Sequence, residues 1–349
     1  MVRLTLIPKW RKNMSHGIMD LDRLAVGYTD LYGKAWHDHP NCEHFNGPVT
    51  LEQAEKVFDY EVEKVPVVLQ GTDIPIPGNY ALIRKDDGEI TIVYPTVGER
   101  YVVIQNSELL IWIEAGLLIP YKDQVSIESV GTLSNGQTSF ANLHLLEHGV
   151  PGDNSKTVTR LMYSNSFGGK SYMACAHTTR VVCANTLRIA TAQGASNATL
   201  KKFRHTKNAA EKIENHLIEL SGVVQASQEH FVQLDHLATQ KADSRVVENF
   251  FDYFLPIPKE DNSEPKEGHA LTRRTNQREA ILELFEDKDD LQGGIARTKY
   301  ALLQSVTDWA DHKATVHKGT DMMDRYWDGI YGTKDKLKQS AFDAMLAMN

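Results

Sequence analysis

The chain has 349 residues, of which 38 are basic and 46 acidic, giving a formal net charge of −8; 41% are hydrophobic and 24% charged. That balance is ordinary for a soluble globular protein, and the length suits two domains or one large domain with helical additions. No window approaches the roughly 18–20 apolar residues of a membrane helix, and three cysteines argue against a disulfide framework.

Residues 1–47 read as an irregular arm, rich in His, Asp and Gly, with aromatics at Trp10, Tyr28, Tyr32, Trp36 and Phe45. The apolar stretch Leu4 to Pro8 is too short for a signal-peptide core, so a cytoplasmic protein is expected. The core domain spans 48–255. Thr50 opens a helix, with Gln53 three residues on to close a capping box. Tyr80–Arg84 and Ile90–Tyr94 flank Asp86-Asp87-Gly88, a hairpin signal. Tyr101–Ile104 reads as a strand, and a helix capped by Asn106 or Ser107 runs towards Gly116. A second hairpin joins Val125–Val130 to Thr138–Leu145 across Asn135-Gly136. Strands Thr157–Tyr163 and Ser171–Ala176 follow, and then a helix is expected from Asn185 to Gly194. Ile213, Leu217, Leu220, Val224, Phe231 and Leu234 form the apolar stripe of a long helix. Residues 256–275 read as a linker. Residues 276–349 read as a helical C-terminal region, with helices around Ile281–Phe285, Ile295–Trp309 and Leu337–Leu346. The expected class is α+β: an antiparallel sheet with helices on one face, followed by helices.

Charge is sorted unevenly along this frame. Between Lys156 and Lys212 stand ten Lys and Arg residues and one acid, Glu211, so a segment of net +9 sits in a remainder of net −17. Such a segment creates a local positive field and points to a polyanionic partner, or else balances an acidic face of the same molecule. Arg160, Lys170, Arg180, Arg188, Lys201, Lys202, Arg204 and Lys207 are the candidate phosphate contacts, with His205 among them. Tyr163, Phe167, Tyr172 and Phe203 are interleaved with these cations as candidate base-stacking rings. Cations alternating with flat rings are what a single-strand groove requires.

Familiar catalytic signatures are absent: no G-x-x-x-x-G-K-[ST], no G-x-G-x-x-G after a strand, no H-E-x-x-H, no paired C-x-x-C, no G-x-S-x-G. Two chemical alternatives compete around Cys175 to Leu187. A zinc site could use Cys175, His177, Cys183 and His205, but the spacing fits no standard finger. A Cys183 nucleophile could be activated by an imidazole and by a helix starting at Asn185, with Asn106 and Asn185 positioning a substrate. The plainer reading makes Cys183 a small buried hydrophobe and Asn185 a helix cap. No metal and no cofactor are expected.

The chain resembles a phage and plasmid family described as a conserved domain of unknown function. Trp36-His37, Thr50–Ala54, Tyr80–Arg84 with Asp86-Asp87-Gly88, Gln105-Asn106, Gly131–Leu133 with Gly136, Arg180–Leu187 and Phe203–Thr206 carry the likeness. Arg180-Val-Val-Cys-Ala-Asn-Thr-Leu187 is the most specific run. Where relatives show W-H-G-L-G and N-S-H-D-G, this chain has Trp36-His-Asp-His-Pro40 and Asn165-Ser-Phe-Gly-Gly169. The resemblance implies a phage or mobile-element origin and a bacterial host cytoplasm. A more distant similarity of element order and charge, to Rad-fifty-two-type single-strand annealing proteins, implies a basic groove and self-assembly. The expected function is therefore single-stranded DNA binding, extending to strand annealing, in recombination or replication, by a homo-oligomer with no membrane association. The alternatives are an enzyme acting on nucleotides or nucleic acid through Cys183 or His205, and an inhibitor of a host defence protein.

Overall fold

The computed structural model describes residues 20–27, 40–86, 89–121, 124–168, 171–180, 185–188, 200–215, 220–257, 266–286, 293–314, 328 and 332–348. Strands β1 (Leu24–Val26) and β2 (Cys42–His44) come from the stretch read as an arm. Helix α1 (Leu51–Val57) precedes a meander of β3 (Glu61–Val68), β4 (Pro75–Asp86) and β5 (Glu89–Gly98). Helix α2 (Asn106–Ile113) continues as a π turn over Glu114–Leu118. Four long strands follow: β6 (Ser126–Leu133), β7 (Thr138–Gly149), β8 (Lys156–Ser166) and β9 (Tyr172–Arg180). Two short strands, β10 (Asn185–Arg188) and β11 (Leu200–Phe203), close the sheet. The rest is helical: α3 (Ala209–Asn215), α4 (Leu220–Thr239), α5 (Ser244–Phe254), α6 (Lys266–Glu286), α7 (Lys299–Asp308) and α8 (Thr333–Ala347).

The large sheet runs β10-β9-β8-β7-β6-β1-β2, with β11 also paired to β9; β3, β4 and β5 form a separate three-stranded sheet. Among the described strands of the large sheet only β1 and β2 pair in parallel. Strand β10 pairs with residues 177–180 of β9 and β11 with residues 172–175, so the two lie end to end along its outer edge. The expected α+β class is what the fold shows. One face of the large sheet, through Ala141, Leu143, Leu161, Tyr163, Ala174 and Ala176, buries against Ala54 and Val57 of α1, Leu109 and Leu110 of α2, Ile213 of α3 and Val223 of α4. A second core joins Phe231 and Leu234 of α4 to Phe250 of α5, Ile281 of α6, Leu303 of α7 and Phe342 of α8. Helix α4 therefore contributes its first half to one core and its second half to the other.

Local rules explain most element starts. Thr50 Oγ1 accepts from the Gln53 amide at 3.2 Å and Gln53 Oε1 accepts from the Thr50 amide at 2.9 Å, the expected capping box. The cap of α2 is Gln105, one residue earlier than expected, with Glu108 reaching back to its amide at 2.7 Å. The β6–β7 turn places Ser134, Asn135 and Gly136 at positive φ in succession (57°, 59° and 84°). Such a run costs energy outside glycine. Asp22 offsets it by accepting the Asn135 and Gly136 amides at 3.1 and 2.8 Å.

Three expectations are corrected. Asn185–Arg188 is a strand, not the start of a helix, because the free edge of β9 offers it backbone partners; residues 189–194 lie outside the described residues. Tyr101–Ile104 belongs to no strand; its Val102 amide bonds the His205 carbonyl at 3.2 Å. Residues 266–275, read as linker, are the first half of α6. The expected long helix is described in two parts, α3 and α4, and residues 216–219 between them lie outside the described residues. The Asp87-Gly88 apex of the first hairpin also lies outside them.

Candidate nucleic-acid interface

Strand β11 and the turn after it carry the densest solvent-facing positive charge in the basic segment. Lys201, Lys202, Arg204 and Lys207 fall within seven residues; Lys202, Arg204 and Lys207 are exposed, Lys201 and Phe203 half-buried. Register sorts them. Lys201 opposes Ala174, on the helix-covered face, and Lys202 opposes Met173, on the other, so cations alternate about the outer edge of the sheet. Among the described residues no ion pair engages Lys201, Arg204 or Lys207. Phe203, half-buried, contacts Tyr172 with ring centroids 6.2 Å apart and planes tilted by 48°.

Other expected contacts are placed where they cannot serve. Arg160 is 5% exposed. Its Nε and Nη2 donate to the two oxygens of Glu128 at 2.5 and 2.9 Å, so its charge is already matched inside the protein. Tyr163, Phe167 and Tyr172 are at most 1% exposed, and stacking a base on any of them would mean opening the core. Burial pushes the hydroxyls of Tyr163 and Tyr172 well above their ordinary range. Lys156, at the start of the segment, pairs with Glu147 at 2.5 Å. Lys170 and Cys183 lie outside the described residues; for Arg180 and Arg188 only the strand positions are described, opposite each end of the β9–β10 pairing.

His205 is a fastener rather than a contact. It is 6% exposed and stacks on Tyr101 at 4.9 Å, with planes 9° apart. Its Nδ1 lies 3.2 Å from the Val102 carbonyl. Burial lowers its pKa, and hydrogen bonds to the Val102 and Ser166 backbone oppose that. The knot ties the end of β11 to the loop after β5.

Asn106, expected to position a substrate, is 1% exposed and spent on structure. Its Nδ2 donates to Tyr60 Oη at 2.6 Å; its Oδ1 accepts from Ser139 Oγ at 2.6 Å and Asn165 Nδ2 at 3.1 Å. Tyr60 passes the chain on to the Gly136 carbonyl at 3.1 Å and lies under the Arg84 guanidinium, 3.8 Å from the ring centre. The helix N-terminus that would have activated Cys183 does not exist, since Asn185 begins β10.

On the face of the large sheet opposite Leu143, Leu161 and Ala176, His144 of β7, Arg160 of β8 and His177 of β9 oppose one another in register, and the strand position of Arg188 in β10 is next in line. Glu128, which the sequence reading missed, joins Arg160 there; a lone acid between Ile127 and Ser129 in an apolar strand was its only signal. Burial pushes the Glu128 carboxyl up to about 8, while the bidentate guanidinium works to keep it charged. His144-Leu-Leu-Glu147-His148 also has a zinc-like H-x-x-E-H spacing. On a strand it fails: His144 opposes Arg160, whereas His148 opposes Thr157 on the helix-covered face, where it stacks on Phe231 and bonds Asp235 at 2.7 Å. Among the described residues no group of three or more His, Cys, Asp or Glu could hold a metal ion. Nor is any described helix long and apolar enough to cross a membrane.

One family profile covers residues 93–328, from within β5 through strands β6–β11 of the large sheet, the basic segment and the helices as far as α7. The chain belongs to the DUF932 family, a domain of unknown function. The DUF932 region contains the whole basic segment and the Arg180–Leu187 run, but begins after Thr50–Ala54 and Tyr80–Arg84. No curated protein and no solved structure matches the chain.

Proposed function

We propose that this DUF932 protein binds single-stranded nucleic acid, DNA in the first instance, along the β11 edge. Lys201, Lys202, Arg204 and Lys207 hold successive phosphates, and Phe203 offers the one ring of the expected four that reaches solvent. The observation that carries the reading is four solvent-reaching cations within seven residues of β11 and the turn after it, whereas Lys156 and Arg160 of the same basic segment are already paired with Glu147 and Glu128. In this reading the protein serves recombination or replication of a phage or related element, as an oligomer in the bacterial cytoplasm.

Neutralising four phosphates of a single strand gives a salt slope of about −2.8, or roughly 50-fold weaker binding between 50 and 200 mM salt. The test is fluorescence anisotropy with a labelled oligonucleotide and a Lys201→Glu/Lys202→Glu/Arg204→Glu variant. The variant is expected to stay folded and lose binding at low salt; undiminished binding would remove the proposal.

A further inference from the structure

We infer that the nucleic-acid path continues from β11 onto the loop after β5, where Arg100 supplies a further phosphate contact; this rests on the reading of β11 above. The two stretches are far apart in sequence, and Arg100 lies outside the basic segment. The fold joins them at one place. The Val102 amide donates to the His205 carbonyl at 3.2 Å, His205 Nδ1 lies 3.2 Å from the Val102 carbonyl, and Tyr101 stacks on the imidazole. Arg100 stands two residues before Val102 and Arg204 one residue before His205, so two cations flank a single backbone junction.

The loop is held ready. Lys64 Nζ donates to the carbonyls of Glu99 at 2.5 Å and Tyr101 at 3.0 Å, the Tyr101 amide bonds the Gly98 carbonyl at 3.1 Å, and Tyr101 Oη accepts from the Gly168 amide at 3.2 Å. Lys64 is thereby a brace, not a phosphate contact. Arg100 is exposed and, among the described residues, engaged in no ion pair. A cation on a braced loop needs little further ordering to take up a phosphate. Val102, 38% exposed, adds apolar surface at the junction itself. That combination suits the unpaired bases of a single strand better than the outside of a duplex. The adjacent acid Glu99, also exposed, would oppose the same phosphate.

The experiment compares salt slopes for a single-stranded oligonucleotide. Arg100→Gln is expected to weaken binding and lower the slope by about 0.7, the share of one phosphate. Glu99→Gln is expected to tighten binding, and Arg273→Gln, an exposed cation on α6, to change neither affinity nor slope. If the β11 triple variant loses binding while Arg100→Gln keeps affinity and slope, the extended path is wrong and the β11 reading stands. If Arg273→Gln lowers the slope as much as Arg100→Gln does, the effect is general charge and the inference is overturned. If the unaltered protein does not bind, both fall.

Discussion

Lowering the pH from 7 to 5 is expected to destabilise the fold by about 4 kcal/mol through two imidazoles alone. His177 and His230 are 1% and 0% exposed, and each has a buried Nδ1 without a hydrogen-bond partner. Burial holds His177 down to about 3, helped by the positive charges of Arg160 and Lys338, and holds His230 down to about 4. In the unfolded chain both take up a proton near 6.5. Below that pH the unfolded state binds more protons than the folded one, so stability is fully present above about 6.5 and is lost as pH falls. Each group contributes about 1.4 kcal/mol per pH unit once its unfolded form is mostly protonated, or about 2 kcal/mol over this interval. His205, also held down by burial, acts in the same direction. Urea midpoints at pH 7, 6 and 5 measure the effect in a range where most carboxylates stay ionised. His230→Gln should remove close to half of it. Burial pushes the Glu128 carboxyl up to about 8, so its protonation acts in the opposite direction over this interval; the test is therefore the difference between the two proteins, and identical pH dependences with and without His230→Gln would refute the assignment of His230 as buried and neutral.

Asp22→Ala is expected to cost about 2–4 kcal/mol in chemical denaturation, because the Asn135 and Gly136 amides lose a charged acceptor in a turn of three positive-φ residues. Gly136→Ala should also destabilise, by about 1–3 kcal/mol, since φ is 84° and a Cβ would meet Tyr60 Oη at 2.7 Å. Lys338, fully buried, donates to Asp311 at 2.7 Å. Lys338→Met alone should cost about 3–5 kcal/mol by stranding the carboxylate, and Lys338→Met with Asp311→Leu should recover most of that, as a double-mutant cycle would show.

Much of the fold was legible because its local signals are strong. The Thr50–Gln53 box, the Asn135-Gly136 hairpin and the long β8 and β9 strands needed no tertiary information. The Asn185–Arg188 run did: its residues suit a helix, and only the open edge of β9 draws them into the sheet. The candidate site was half legible. In β8 and β9 both faces are buried, so the run from Thr157 to Tyr163 shows no alternation to separate rings that face the core from rings that face water. Sequence alone therefore does not reveal that Tyr163 and Tyr172 are buried. Arg160 looked like a free cation because its partner, Glu128, lies two strands and 32 residues away. The short β11 strand behaved otherwise: four cations in seven residues cannot all turn inward, and three of them are exposed. Arg100 could not be found from sequence at all, since only the contact between Val102 and His205 brings it to the edge.

The salt dependence of single-stranded oligonucleotide binding tests the account most directly. The four β11 cations predict a slope of log affinity on log salt near −2.8, steepening to about −3.5 with Arg100, and collapsing in the β11 charge-reversal variant. A slope near zero, or the same slope in that folded variant, would contradict it.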